Sequence, residues 1–100
     1  MISEENASRI RQIYCESLVV NFKYDQSFQY AFKDQVKRRR GDSESKKLAM
    51  CASAFDEWCK TPRGSVALSV VKQRCPAPIA KEVLAAAEDS AVKHLLAFLR

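Results

Sequence analysis

Glycine and proline are scarce in this chain. One hundred residues carry two Gly and three Pro. A sandwich or barrel needs a turn signal every 8–12 residues or so, and this sequence cannot supply them. Histidine is almost absent as well, with His94 alone, and none of the four cysteines forms a C-x-x-C pair. Closely spaced ligand pairs are the usual mark of a structural zinc site, so no metal and no cofactor is expected. No Gly-rich phosphate loop occurs either. No apolar run approaches about 18 residues, which excludes a spanning helix from the expectations. The first ten residues, MISEENASRI, have neither the basic start nor the apolar stretch of a secretory leader.

What the chain does hold is apolar and charged in ordinary proportion, at 47% and 29%. That is too apolar for a disordered chain and suits one domain with its own core. Few turn residues and many helix formers predict an all-α fold. The expected architecture is a compact single domain over 1–100, a bundle of five helices, or six if the last one breaks at Asp89-Ser90.

The stretch KKLAMCASAFDEWC, residues 46–59, is the expected centre. Leu48, Cys51, Ala52, Phe55, Trp58 and Cys59 recur three or four residues apart. At about 100° per residue they fall within an arc of roughly 120°, the width of a core-facing stripe. The same periodicity places a first helix over 4–20, capped by Ser3, with Ala7, Ile10, Ile13, Tyr14 and Leu18 inward. Residues 21–25 read as a connector. Asp25 caps a second helix over 26–39 whose inner face is Phe28, Ala31, Phe32, Gln35 and Val36. Gly41 stands where a left-handed cap is needed, and Asp42, Ser43 or Ser45 can cap the central helix. Residues 61–64, TPRG, read as a loop. A short helix over 66–74, capped by Ser65, competes with an extended strand because SVALSVVK is β-branched. A last helix runs from about 78 to 99, with Ala85, Ala86 and Ala87 small enough for close approach of a neighbour.

Four features bear on function. The first is charge: the net formal charge is +5, and residues 33–47 hold seven cations against three carboxylates, a local excess of +4. Lys33, Lys37, Arg38, Arg39, Arg40, Lys46 and Lys47 therefore gather at one corner, with Tyr24 and Tyr30 as aromatic neighbours. Such a corner fits an acidic protein or nucleic acid, although basic residues at a helix C-terminus also serve the helix dipole alone. The second is the terminal stretch AVKHLLAFLR, apolar almost all round. Either this helix is central to the bundle, or Leu96 and Leu99 meet a partner, a second copy of the chain included.

The third is the cysteines. Cys51 and Cys59 lie about 12 Å apart along one helix and cannot bond to each other. Four free thiols in a cytoplasmic protein are expected. Were a leader removed and the domain exported, Cys15–Cys51 and Cys59–Cys75 would be a feasible pairing. The fourth is the carboxylates: Asp56-Glu57 and Glu88-Asp89 are adjacent on helices, diverge by about 100°, and do not form dyads.

The expectation is thus a non-enzymatic helical module or small regulator that binds an acidic partner through the basic corner. Nucleic-acid binding by the same corner is the alternative, and an exported, disulfide-stapled helical domain is the third reading.

Overall fold

The structure, a computed structural model, describes residues 3–39, 41 and 43–99. Among them are five helices and no strand: α1 Glu4–Tyr24, α2 Gln26–Arg38, α3 Glu44–Lys60, α4 Pro62–Arg74 and α5 Ala77–Phe98. Residues 66–74 are helical, so the extended alternative falls. The six-helix alternative falls too, because α5 runs unbroken through Asp89-Ser90. Asp89 takes an ordinary mid-helix role there, pairing with Lys93 one turn on at 3.1 Å.

Four of the five helices start on a residue whose side chain accepts from an orphan amide; α5 starts on Pro76, which has no such side chain. Ser3, Ser43 and Thr61 present side-chain oxygens to the amides of Asn6, Lys46 and Gly64. Asp25 serves two helices at once. Its amide donates to the Phe22 carbonyl at the end of α1, and its Oδ1 accepts from the Phe28 amide at the start of α2.

Two boundaries differ from the sequence expectation. The first helix continues through 21–24 instead of stopping at 20, because Val19 and Phe22 are core residues. Burial of those side chains outweighs the weak helix propensity of the β-branched pair Val19-Val20. The expected loop 61–64 is the cap and first turn of α4. Thr61 closes α3 and opens α4 in one residue: its Oγ1 donates to the Trp58 carbonyl at 2.6 Å and accepts from the Gly64 amide at 3.1 Å. Pro62 occupies the first turn, where its missing amide proton has no partner to lose. So sharp a corner presses α4 against the end of α3. A Cβ on Gly64 would overlap the Trp58 carbonyl, which is why glycine stands there.

The core lies where α5 crosses α1 and α3, with α4 closing one side. Val83, Ala87, Ala91 and Leu95 are fully buried at four-residue spacing along α5. Of the three alanines expected to allow close approach, Ala87 does so, and Ala85 and Ala86 face solvent. Phe22, Phe55 and Trp58 form the aromatic centre. Phe22 meets Phe55 edge-on at 5.4 Å and Trp58 at 5.2 Å, and Phe55 stacks on Trp58 at 5.9 Å. Arg11 clips α1 to α5 outside the core, reaching Glu82 at 2.7 Å and Glu4 at 2.9 Å.

The inward faces are rotated from the expected ones by about one residue. Ile13 is 59% exposed and Leu48 50% exposed, whereas Ala54 is buried in place of Ala52. On α2, Phe32 and Val36 face in as expected, but Ala31 and Gln35 are exposed and Gln29 is buried. This second helix packs mainly on α3 and more sparsely than the others do. The molecule is accordingly drawn out, 51 × 26 × 17 Å, with a radius of gyration of 14.5 Å against about 13 Å for an ordinary domain of this length.

Candidate functional site

The basic corner forms at the far end of α2. Lys33 and Lys37 are one turn apart and share a face. Arg39 follows as the C-cap residue, its amide donating to the Val36 carbonyl. Gly41 then takes φ 82°, the left-handed conformation expected of it, and the chain turns back into α3, bringing Lys47 alongside. Lys33, Lys37, Arg39 and Lys47 thus border one concavity of about 380 Å³, with Val36 and Leu99 as its apolar lining. No carboxylate is among the described residues that line it.

The other expected site residues distribute unevenly. Arg38 is exposed and pairs with Asp34 at 3.0 Å, within α2. Lys46 is exposed and is not among the residues that line the concavity, as its neighbour Lys47 is. Arg40 lies outside the described residues. Tyr24 is 71% exposed at the opposite end of α2. A helix of 13 residues, about 20 Å long, separates it from Arg39, so it does not join the corner. Tyr30 is 61% exposed and closer, beside Lys33 and Lys37. Leu96 and Leu99 are half-buried against the core.

Phe98 was not expected to matter here, and it organises this end of the molecule. Lys33 places Nζ 4.8 Å from its ring centroid, Tyr30 meets it edge-on at 5.2 Å, and His94 stacks on it at 6.3 Å. The end of α5 is thereby fastened to α2. The signal was available only as an aromatic on an apolar helix; its partners Lys33 and Tyr30 lie more than sixty residues away in sequence.

Behind α2 sits a polar cluster that sequence reasoning missed. Gln29 is buried, and its Nε2 donates to the carbonyls of Phe22 and Lys23 at 2.8 and 2.9 Å. Its Oε1 accepts from His94 Nε2 at 2.6 Å, which fixes the imidazole tautomer. Trp58 Nε1 donates to Asp25 Oδ2 at 3.0 Å. Burial, and then the charge of Lys23, hold the His94 pKa below its ordinary value. Every polar atom named has a partner, and the bonds tie the α1–α2 turn to Trp58 on α3 and His94 on α5, so the cluster works as a latch on that turn.

The four cysteines are free thiols. Burial raises the pKa of each, and Cys59, which also faces Asp56 and Glu88, is pushed up to about 11. Such thiols are protonated at neutral pH and poor nucleophiles. The carboxylates of Asp56 and Glu88, not paired in the sequence reading, approach across α3 and α5. Burial, the Asp56 charge and a hydrogen bond to Asp56 raise the Glu88 pKa. Among the described residues no group of three or more His, Cys, Asp or Glu could hold a metal ion, and no helix is long and apolar enough to cross a membrane.

An apolar trough of about 570 Å³ runs between α2 and α3, next to the basic concavity. Small side chains create it: Ala31 on one helix faces Ala49, Ser53 and Ala54 on the other, too short to fill the gap between Phe28, Phe32 and Met50. Arg39 is the one described residue that lines both the trough and the concavity. Compared with known proteins, the chain matches no family model, no curated protein and no solved structure.

Proposed function

We propose that this chain is a non-enzymatic helical interaction module or small regulator that captures an acidic partner protein at the corner formed by Lys33, Lys37, Arg39 and Lys47. One observation carries the reading: Lys33, Lys37 and Lys47, from two different helices, converge on a single concavity that no described carboxylate lines. Cations crowded this way repel one another, and carboxylates from a partner relieve that repulsion while gaining charge-assisted hydrogen bonds. The corner stands on the loosely packed helix, away from the aromatic core, so binding there need not disturb the fold. The setting we propose is the cytoplasm, where buried thiols stay reduced.

The test is capture by the intact chain, with and without nuclease, followed by binding of the purified captured protein. The partner should have an acidic surface, survive nuclease, and lose affinity at least tenfold for the Lys37→Glu/Lys47→Glu variant, the usual scale for reversing close interfacial charges. A variant that folds and binds with unchanged affinity would remove the corner from the interface.

Nucleic acid is the second reading, favoured by exposed Tyr30 beside Lys33 and Lys37, an arrangement on which an unstacked base could lie. Asp34 lies in the same patch and opposes a phosphate. On duplex DNA, four or five phosphate contacts would give a log–log salt slope of about −4. Submicromolar duplex binding at physiological salt, lost in the charge-reversed variant, would put this reading first.

A further inference from the structure

We propose that the anion received by the basic corner is a phosphorylated side chain of the partner protein, a phosphate monoester held by Lys33, Lys37 and Lys47. The inference rests on the reading of the corner as an acidic-partner site and adds which acidic group is recognised there.

Charge is unbalanced at this place and balanced elsewhere. Arg11, Arg38, Lys60 and Lys93 each meet a carboxylate at 3.9 Å or less. Among the described residues Lys33, Lys37 and Lys47 meet none, although they border one concavity from two helices. Asp34 borders a neighbouring groove with Lys33 and Lys37, but Arg38 holds it at 3.0 Å. Arg39 also borders the concavity; it has an interaction of its own and is not counted with the three lysines.

The surroundings strengthen the demand for an anion. Lys33 and Lys47 are half-buried, and the apolar lining beside them is buried Val36 and half-buried Leu99. Ammonium groups so placed have given up part of their water, and each like charge nearby adds to the cost. Lys33 is also held in position. Its Nζ lies 4.8 Å from the centroid of the Phe98 ring, a contact that orients the charge and does not neutralise it.

Two features select phosphate over carboxylate. The first is charge density. Two or three carboxylates would have to crowd into a concavity of about 380 Å³ and would repel one another. A phosphate monoester brings a charge of about −1.5 to −2 and three acceptor oxygens on one centre, one acceptor for each lysine. The second is the donor. The planar Arg fork is the best match for a carboxylate, whereas Lys is a rotatable point charge that suits phosphate. The rim residues Lys37 and Gly41 are exposed, so a side chain carried on a partner's surface can enter. Nucleic acid instead offers single charges spread along a strand.

The experiment uses the full chain and fluorescein-labelled peptides of about twelve residues, uncharged except at the centre, which holds phosphoserine, serine or three consecutive Glu. In fluorescence anisotropy the phosphoserine peptide should bind at least about tenfold tighter than either of the others. Lys37→Gln/Lys47→Gln should abolish that advantage, and Lys37→Gln alone should reduce it at least about threefold. Lys72→Gln/Lys81→Gln removes two exposed cations outside the concavity and should leave it within about twofold. Circular dichroism should show all three variants folded.

A triple-Glu peptide that binds as tightly as phosphoserine, and is lost with Lys37→Gln/Lys47→Gln, overturns the phosphate and leaves the corner standing as an acidic-partner site. Phosphoserine binding that survives Lys37→Gln/Lys47→Gln, or falls as far with Lys72→Gln/Lys81→Gln, overturns the site. No binding of either charged peptide overturns the inference and the reading beneath it. Tighter binding of phosphatidylinositol bisphosphate vesicles or of DNA, lost with Lys37→Gln/Lys47→Gln, would overturn a partner protein as the source of the phosphate.

Discussion

The crossing of α5 with α1 and α3 is packed quite differently from the arm formed by α2. At the crossing, Phe22, Phe55, Trp58, Val83 and Leu95 have essentially no accessible surface, and alanines let the helices approach. Along α2, short side chains face one another across a gap, and the helix is held by a latch at its start and by Phe98 near its end. The crossing has the features of a stability centre, and the arm has those of a surface left for something else. Dense packing leaves no room for a ligand, and a helix fastened at two points can keep an unfilled side.

The largest effect should come from the crossing. Phe55→Ala removes a ring that touches both Phe22 and Trp58 and should cost about 3–5 kcal/mol in denaturant unfolding. A loss below about 1 kcal/mol would erase the contrast between crossing and arm. Next is the α3–α4 corner. Gly64→Ala drives a methyl into the backbone carbonyl of Trp58, which cannot swing aside as a side chain would, and about 2–3 kcal/mol is expected by the same measurement.

Gln29→Leu cuts the latch. It strands the carbonyls of Phe22 and Lys23 and the imidazole of His94, an effect of about 1–3 kcal/mol. Its more telling readout is amide exchange, which should rise across α2 and little in α5. Uniform loss of protection would mean that arm and crossing unfold as one unit.

The smallest effect sharpens the crossing itself. The Glu88 pKa is raised in the folded chain, so folding favours its protonated form. That contribution is present at acid pH and is lost as pH rises through the folded value. Glu88→Gln should therefore raise the melting temperature at pH 7. The gain should shrink as pH falls through the raised folded value and be gone below about 4, where the carboxyl is protonated in either state. A gain independent of pH would point to packing rather than charge.

Local signals in the sequence were accurate at most helix starts and failed at one, where Thr61 and not the expected Ser65 caps α4. Ser3 and Asp25 cap the helices they were expected to cap, Gly41 adopts its left-handed turn, and the stripe around Phe55 and Trp58 is buried. Errors came where a distant contact decides. Residues 21–24 are helical because Phe22 is needed in the core, and Ile13 and Leu48 are exposed because their helices are turned by about one residue to serve that core. The cations of residues 33–47 were visible as a cluster, but not that four of them border one concavity, that Lys33 is engaged by Phe98, or that Tyr24 stands at the wrong end of α2.

The sequence by itself determined that the chain is helical, where most helices begin, and that positive charge collects between residues 33 and 47. Periodicity, caps and charge are properties of segments a few residues long. The tertiary structure decided the rest: the buried partners of Gln29, the approach of Asp56 to Glu88, and the trough beside the basic corner. Each of these joins residues from different helices. Their meeting depends on how the helices rotate and cross, which is settled by the packing of the whole core and by no short stretch of it.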